Sequence, residues 1–283
     1  MNILSIQSWV SYGHVGNASA VFPMQRLGHE VWAIHTVQFS NHTGYGAWKG
    51  RVYDGPMIDE LVEGIEERGV LGRCDGVLSG YMGSSDIGSA IVAAVRRVRA
   101  LNPEALYCCD PVIGDVGRGV FVRPGIPEFM RDKAVPAADI ITPNQFELEY
   151  LSGRRVTTIA DAIAAVEAIR ATGPRTVLVT SLLTEDTPAD AIDLLACGPS
   201  GRFRVRTPRL SVSVNGAGDA IAALFFVHAA TSRDEAFAVS RAASSVFGLL
   251  KRTEEAGSRE ILTVEAQDEF VTPTTVFAPE KIG

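Results

Sequence analysis

Four cysteines, Cys74, Cys108, Cys109 and Cys197, are all the sequence offers toward a thiol-based scaffold, and they show neither CxxC spacing nor a paired histidine motif. A structural zinc site and a disulfide framework are therefore not indicated, and the four read as reduced cytosolic thiols. Basic clusters are also missing: 26 Lys and Arg against 33 Asp and Glu leave a net charge of −7. Nucleic-acid and anionic-membrane surfaces need concentrated positive charge, so neither is an expected partner. No apolar run reaches the roughly 18 residues of a membrane span. The opening MNILSIQSWV lacks the basic start and long apolar core of a signal peptide. There is no GxxxxGK[ST], and no GxGxxG follows the first strand-like run, which excludes a P-loop enzyme and a classical dinucleotide fold. These absences leave a cytoplasmic protein whose partners are small molecules.

What is present is a chain of 283 residues, 46% of them hydrophobic, with no repeat or low-complexity segment. One domain spanning 1–283 is the economical expectation. Short β-branched or apolar runs recur as NILSIQS (2–8), VWAIHTVQF (31–39), GVLSGYM (76–82), ALYCCDPV (105–112), DIITPN (139–144) and TVLVTSL (176–182). Between them lie stretches of helical spacing, including PMIDELVEGIEERG, SDIGSAIVAAVRRVRAL and TIADAIAAVEAIRATG. Such alternation predicts a mostly parallel sheet with helices on both faces, a three-layer α/β/α sandwich. AIDLLACG and RFRVRTPRL, joined by PSG, read as a hairpin adding antiparallel strands. Ala236, Val239, Ala243, Val246, Phe247 and Leu250 form one stripe of a later helix.

In such sheets ligands bind beyond the carboxyl ends of the strands. Those ends here carry SGYMGSS, CDPVIGD, TPNQFELE and NGAGD. In NGAGD, Gly216 and Gly218 let a ligand approach free amides at the start of a long apolar helix, where an anion such as phosphate is the natural guest. Asp219 beside that site either caps the helix or takes the proton of an attacking hydroxyl. Asp110, Asp115, Asn144 and Glu147 offer oxygen ligands for Mg²⁺, with turn capping as the alternative for Asp110 and Asn144. Ser8, Phe39, Thr43 and Tyr81 suit an aromatic, hydrogen-bonding small molecule. His14 and His42 read as solvated loop histidines, and Trp32 and Trp48 as packing.

The stretches LSIQS with GHVGN, VQFSNHTGYGAWKG, LSGY, CDPVIGD, DIITPNQFELEYLSGR and GAGD together resemble those of pyridoxal kinases within the ribokinase-like superfamily, from Ile3 to about Leu250. The resemblance implies a ribokinase-like fold and ATP-dependent phosphorylation of the 5′-hydroxymethyl group of pyridoxal, and also of pyridoxine and pyridoxamine. Asp219 matches the catalytic base, and Gly216, Ala217 and Gly218 match the anion hole. Ser8, Phe39, Thr43, Gly44 and Tyr81 match the substrate pocket. Asp110, Thr142, Glu147, Thr180 and the run Thr207, Pro208, Arg209, Leu210 match the ATP path, with Asp110, Asp115 and Glu147 near Mg²⁺. A homodimer and an assisting K⁺ are implied in the same way. Trp9 stands where close relatives usually have histidine, Thr180 where some bacterial members have lysine, and the segment after CDPVIGD is shorter than in animal relatives. A kinase for hydroxymethylpyrimidine or another small primary alcohol on the same fold, and a non-catalytic B6-binding protein, are the alternatives.

Overall fold

A computed structural model describes all residues from Met1 to Gly283. Its backbone is organised by one ten-stranded sheet. The strands are β1 (Asn2–Val10), β2 (Glu30–Phe39), β3 (Gly50–Val52), β4 (Gly76–Ser79), β5 (Leu106–Cys109), β8 (Ile140–Ile141), β9 (Thr176–Leu182), β10 (Ala191–Gly198), β11 (Gly201–Pro208) and β12 (Glu280–Lys281), with β6 (Gly114–Asp115) and β7 (Gly119–Val120) forming a separate small hairpin. The order across the sheet is β12-β11-β10-β9-β8-β5-β4-β1-β2-β3. Every pairing from β9 through β2 is parallel, and the outer pairings are antiparallel.

Successive side chains of a strand point to opposite faces, and the sequence uses both. Leu4, Ile6, Val77, Tyr107, Cys109, Val177 and Val179 enter one core layer, while Ile3, Leu78, Cys108 and Leu178 enter the other. The first layer is closed by α2 (Gly55–Glu67), α3 (Ser85–Leu101), α6 (Gln145–Ser152) and α7 (Ile159–Arg170). Between α3 and α6, α4 (Ile126–Phe129) and α5 (Val135–Ala137) flank a π-helical turn. The second layer is closed by α1 (Asn17–Arg26), α8 (Ala217–Ser232), α9 (Glu235–Glu255) and the short α10 (Asp268–Val271).

The expected three-layer architecture and the added antiparallel hairpin are both present. Several strands stop earlier than their apolar runs: β4 ends at Ser79, β5 at Cys109 and β8 at Ile141. Single backbone bonds carry the pairing just past these stops, from Asp110 to Ser79 and from Thr142 to Cys109, and the chain then turns into a common cavity. In α9, Val239, Ala243 and Val246 are buried, but so are Ala238, Ala242 and Leu249, so the buried face is wider than the expected stripe, while Ala236, Phe247 and Leu250 lie at its margin. Helix α8 is buried continuously from Ala220 to Val227. Gly76, at the start of β4, makes room for it, since a Cβ there would sit 2.5 Å from the Phe226 ring.

Candidate active site

A cavity of about 450 Å³ opens at the carboxyl edge of the parallel strands. It gathers Ser8 from the end of β1, Phe39 from β2, Tyr81 after β4, Asp110 after β5, Thr142 and Asn144 after β8, Thr180 from β9, and Gly216 to Asp219 at the start of α8. One end is apolar, with Val10, Val15, Val37, Phe39 and Tyr81; the other is acidic, with Asp110, Asp115 and Glu147.

The start of α8 is built by close approach. Gly216 is the N-cap residue with φ 91°, and a Cβ on it would lie 1.8 Å from the carbonyl oxygen of His14. Its own carbonyl accepts from the Ser19 hydroxyl at 2.8 Å, which ties α8 to α1. Gly16 makes the matching approach on the other wall, since a Cβ there would fall 2.3 Å from both the backbone oxygen and Oγ of Ser8. No side chain caps α8, so the first-turn amides face the cavity with the positive end of the helix dipole behind them. Asp219 stands in the first turn, where its carboxyl accepts from the Gly16 amide and from its own. The N-cap position itself belongs to Gly216, and Asp219 lines the cavity while keeping that local contact with the first turn. Its carboxyl still meets solvent through the cavity, yet the dense surrounding protein withholds hydration from the charged form and pushes its pKa up to about 6, against the pull of the Gly16 and Asp219 amides.

At the acidic end, Asn144 and Glu147 form a capping box on α6. Glu147 accepts from the Asn144 amide at 2.9 Å through one oxygen and from the Ile113 amide at 2.9 Å through the other, while the Asn144 side chain donates to the Gly114 carbonyl at 2.8 Å. Asn144 therefore caps a helix and lines the cavity at once. Asp110 accepts from the Thr142 hydroxyl at 2.8 Å. Burial pushes Glu147 up to about 8, and burial together with the neighbouring Glu147 and Asp219 charges holds Asp110 well above the usual carboxylate range. Proximity of several carboxylates favours either a proton or a cation among them.

Asp110, Asp115 and Glu147 do not make a closed ligand set, because no three His, Cys, Asp or Glu side chains converge as a metal cage anywhere in the chain. Asp115 is exposed, and one of its oxygens accepts from the Val116 amide at 2.7 Å. That arrangement does not suit a resident ion held by protein alone. It does suit Mg²⁺ carried by phosphate, which ordinarily takes only one or two carboxylates and keeps waters.

Not every expected residue lines the cavity. Gly44 lies next to it, its amide donating to Nδ1 of His42 at 3.1 Å. Thr207, Pro208, Arg209 and Leu210 lie outside the lining; Ala191 pairs with Pro208 and Asp193 with Leu182, which sets Thr207 and Pro208 on the same sheet edge as Thr180, two strands away. Trp9 also stands apart from the lining, its ring 4.8 Å from that of His35.

Other residues enter that sequence reasoning passed over. His42, expected to be solvated, is half-buried in the lining, and desolvation together with nearby Arg118 lowers its pKa. Trp48 packs on Phe39 with ring centroids 4.0 Å apart, at the apolar end. Arg118 and Phe121 reach the cavity from the β6–β7 hairpin, the guanidinium 5.4 Å from the Phe121 ring centroid. Arg118 is the one Arg or Lys among the lining residues, which hold the carboxylates of Asp110, Asp115, Glu147 and Asp219. The signal for it was the lone arginine in the turn-forming VGRGVFV. Asn215 and Ser181, the latter at φ 51°, complete the wall.

Comparison with known proteins decides the family. The profile of the family described as phosphomethylpyrimidine kinase matches residues 72–263. The chain is 64% identical over 98% of its length to pyridoxal kinase PdxY of Granulibacter bethesdensis, covering 98% of that protein, and 56% identical over 99% to the protein of the same name from Deinococcus radiodurans, covering 96% of it. The chain belongs to the pyridoxal kinase family. Its backbone superposes with a TM-score of 0.92 on pyridoxal kinase from Leishmania donovani in complex with ADP and pyridoxamine, at 32% identity, covering 100% of this chain and 99% of that one. The structure of the same enzyme with ADP and pyridoxine also gives 0.92. These likenesses accord with the ribokinase-like fold expected from the sequence. No helix is long and apolar enough to cross a membrane.

Proposed function

We propose that this protein is a pyridoxal kinase, transferring the γ-phosphoryl group of ATP to the 5′-hydroxymethyl group of pyridoxal, pyridoxine and pyridoxamine. One observation carries the reading: the carboxyl of Asp219 shares a cavity with free helix amides, an aromatic-lined end and an acidic end. The vitamer ring occupies the end walled by Phe39 and Tyr81, with Ser8 and Thr43 as its polar partners. The phosphates of ATP lie toward Asp110, Thr142 and Thr180, and the base toward the edge bearing Thr207 to Leu210.

Asp219, poised with a pKa of about 6, is ionised at neutral pH and accepts the proton of the attacking hydroxyl. The Gly216, Ala217 and Gly218 amides meet the charge that spreads over the transferring group. Asp110, with Asp115 and Glu147 nearby, would hold the Mg²⁺ that arrives with ATP, and this ion supplies neutralisation of the phosphate charge. A homodimer, a cytoplasmic location and assistance by K⁺ are proposed on resemblance; four buried free cysteines suit a reducing compartment.

Incubation with ATP and Mg²⁺, with and without K⁺, and separately with pyridoxal, pyridoxine, pyridoxamine and hydroxymethylpyrimidine, tests the assignment by product mass. Phosphorylated vitamers are expected. Exclusive phosphorylation of hydroxymethylpyrimidine would replace the substrate but keep the site, and binding of vitamers without any product would reduce the protein to a B6-binding one.

A further inference from the structure

Glu260 lies after α9, far along the chain from the lining residues it affects. Its two carboxylate oxygens reach two different segments, each adjoining lining residues of the cavity. Oε1 accepts from the Tyr45 hydroxyl at 2.5 Å, and Oε2 accepts from the His14 amide at 3.2 Å. Tyr45 closes the short turn Thr43–Tyr45 that also carries Thr43 beside His42. His14 presents the carbonyl oxygen against which Gly216 is packed at the start of α8.

Further contacts fit the carboxylate to this place. A Cβ on Gly13 would sit 2.2 Å from the Glu260 carboxylate, so glycine is what lets the acid reach the backbone. The neighbouring Arg259 places its guanidinium 5.0 Å from the Tyr45 ring centroid, and Tyr12 meets Tyr45 edge-on at 6.2 Å. Charge-assisted bonds of this kind are roughly twice as strong as neutral ones. Each arm spans more than 200 residues of sequence, 215 to Tyr45 and 246 to His14.

We infer that Glu260 is a positioning residue which sets the vitamer-side turn and the anion-side glycine relative to each other, one through each oxygen. The inference rests on the proposed kinase function. The Tyr45 arm acts on Thr43 and His42 and therefore on vitamer binding. The His14 arm acts on Gly216 and therefore on the amides that meet the transferring phosphoryl group. Misplacement of reacting groups by about 1 Å costs on the order of 100-fold in rate, so even a partial release of that arm is measurable.

The test compares Tyr45→Phe, Glu260→Gln and Glu260→Ala with the wild-type enzyme by steady-state kinetics and by hydrogen exchange of residues 11–16 and 42–46. Tyr45→Phe is expected to raise the KM for pyridoxal by roughly threefold to tenfold, less than the full worth of a hydrogen bond to a charged group because the arm acts through Thr43, with kcat and the KM for ATP within twofold. It speeds exchange in 42–46 alone. Glu260→Ala raises the same KM, lowers kcat by about tenfold or more, and speeds exchange in both segments. Glu260→Gln retains a carbonyl oxygen for the His14 amide and an amide donor for the Tyr45 oxygen, and restores most of kcat. Equal changes in both KM values that track a loss of Tm in every variant would reduce Glu260 to a general stabiliser and overturn the inference. So would unchanged exchange in 42–46 on Tyr45→Phe. If wild-type enzyme fails to phosphorylate any vitamer, the functional reading falls, and the exchange data still decide whether the two arms exist.

Discussion

Along the direction from the start of α8 to the β6–β7 hairpin, the two ends of the cavity are built in opposite ways. The start of α8 is a backbone structure locked from several sides: the His14 carbonyl fills the space a Gly216 side chain would need, the Ser19 hydroxyl holds the Gly216 carbonyl, and eight consecutive buried residues anchor the helix behind. The β6–β7 hairpin is a surface structure. Asp115, Val116, Gly117 and Arg118 are all exposed, and its stem is fastened mainly by Glu147 and Asn144 to residues 113 and 114. On the proposed reading, groups that must not move while charge develops are carried by the first; the lining's lone guanidinium is carried by the second. Transition-state stabilisation gains from a preorganised mount, whereas a group that admits and releases a nucleotide gains from one that can yield.

Breaking the locked end has the largest effect. Asp219→Asn is expected to lower kcat by about 10²- to 10⁴-fold with little change in nucleotide affinity, measured by coupled assay and calorimetry. The same change is expected to stabilise the fold. A carboxyl whose pKa is raised on folding binds its proton more tightly in the native state, so its charged form costs stability as pH rises from the unfolded value through about 6. At pH 7 the asparagine variant gains roughly 2 kcal/mol, seen as a Tm higher by a few degrees. Loss of activity together with loss of Tm would contradict this account.

Gly216→Ala is next, with kcat down by about 100-fold, because the new methyl meets the His14 carbonyl and tilts the amides. A pH profile of kcat/KM for pyridoxal follows: the basic form of Asp219 is the active one, so the value falls about tenfold from pH 7.5 to pH 5, with a midpoint near 6. Arg118→Gln has the smallest effect, a rise of roughly fivefold in the KM for ATP with the KM for pyridoxal unchanged, as for one exposed cation meeting phosphate. An effect of Arg118→Gln on kcat as large as that of Gly216→Ala would erase the distinction between the two ends.

Residues of the locked end were the legible ones. Gly216, Gly218 and Asp219 stand together before an apolar run, and a helix start after a glycine turn has few conformations. The alternation of β-branched runs with helical spacing led to the sheet, because period 2 and period 3.6 are local properties. His42 and Glu260 could not be read in the same way. His42 lies in a polar turn and feels the charges of Arg118 and Glu260 far away in sequence, and Glu260 sits in an ordinary acidic stretch, EEAGSREIL, where nothing local marks one carboxylate over another. The ends of β4, β5 and β8 were overrun for a related reason: β-propensity continues past the point where Asp110 and Thr142 turn to bond each other.

The contact between Glu260 and the loops at residues 13, 14 and 45 also orders events in time. A ribosome delivers His14 246 residues before Glu260. Until then the His14 amide and the Tyr45 hydroxyl lack the carboxylate that joins them. The parallel strands from β1 to β9 can therefore pair before the Glu260 bridge exists, and the loops at 13–14 and 45 are joined only after α9 has been made.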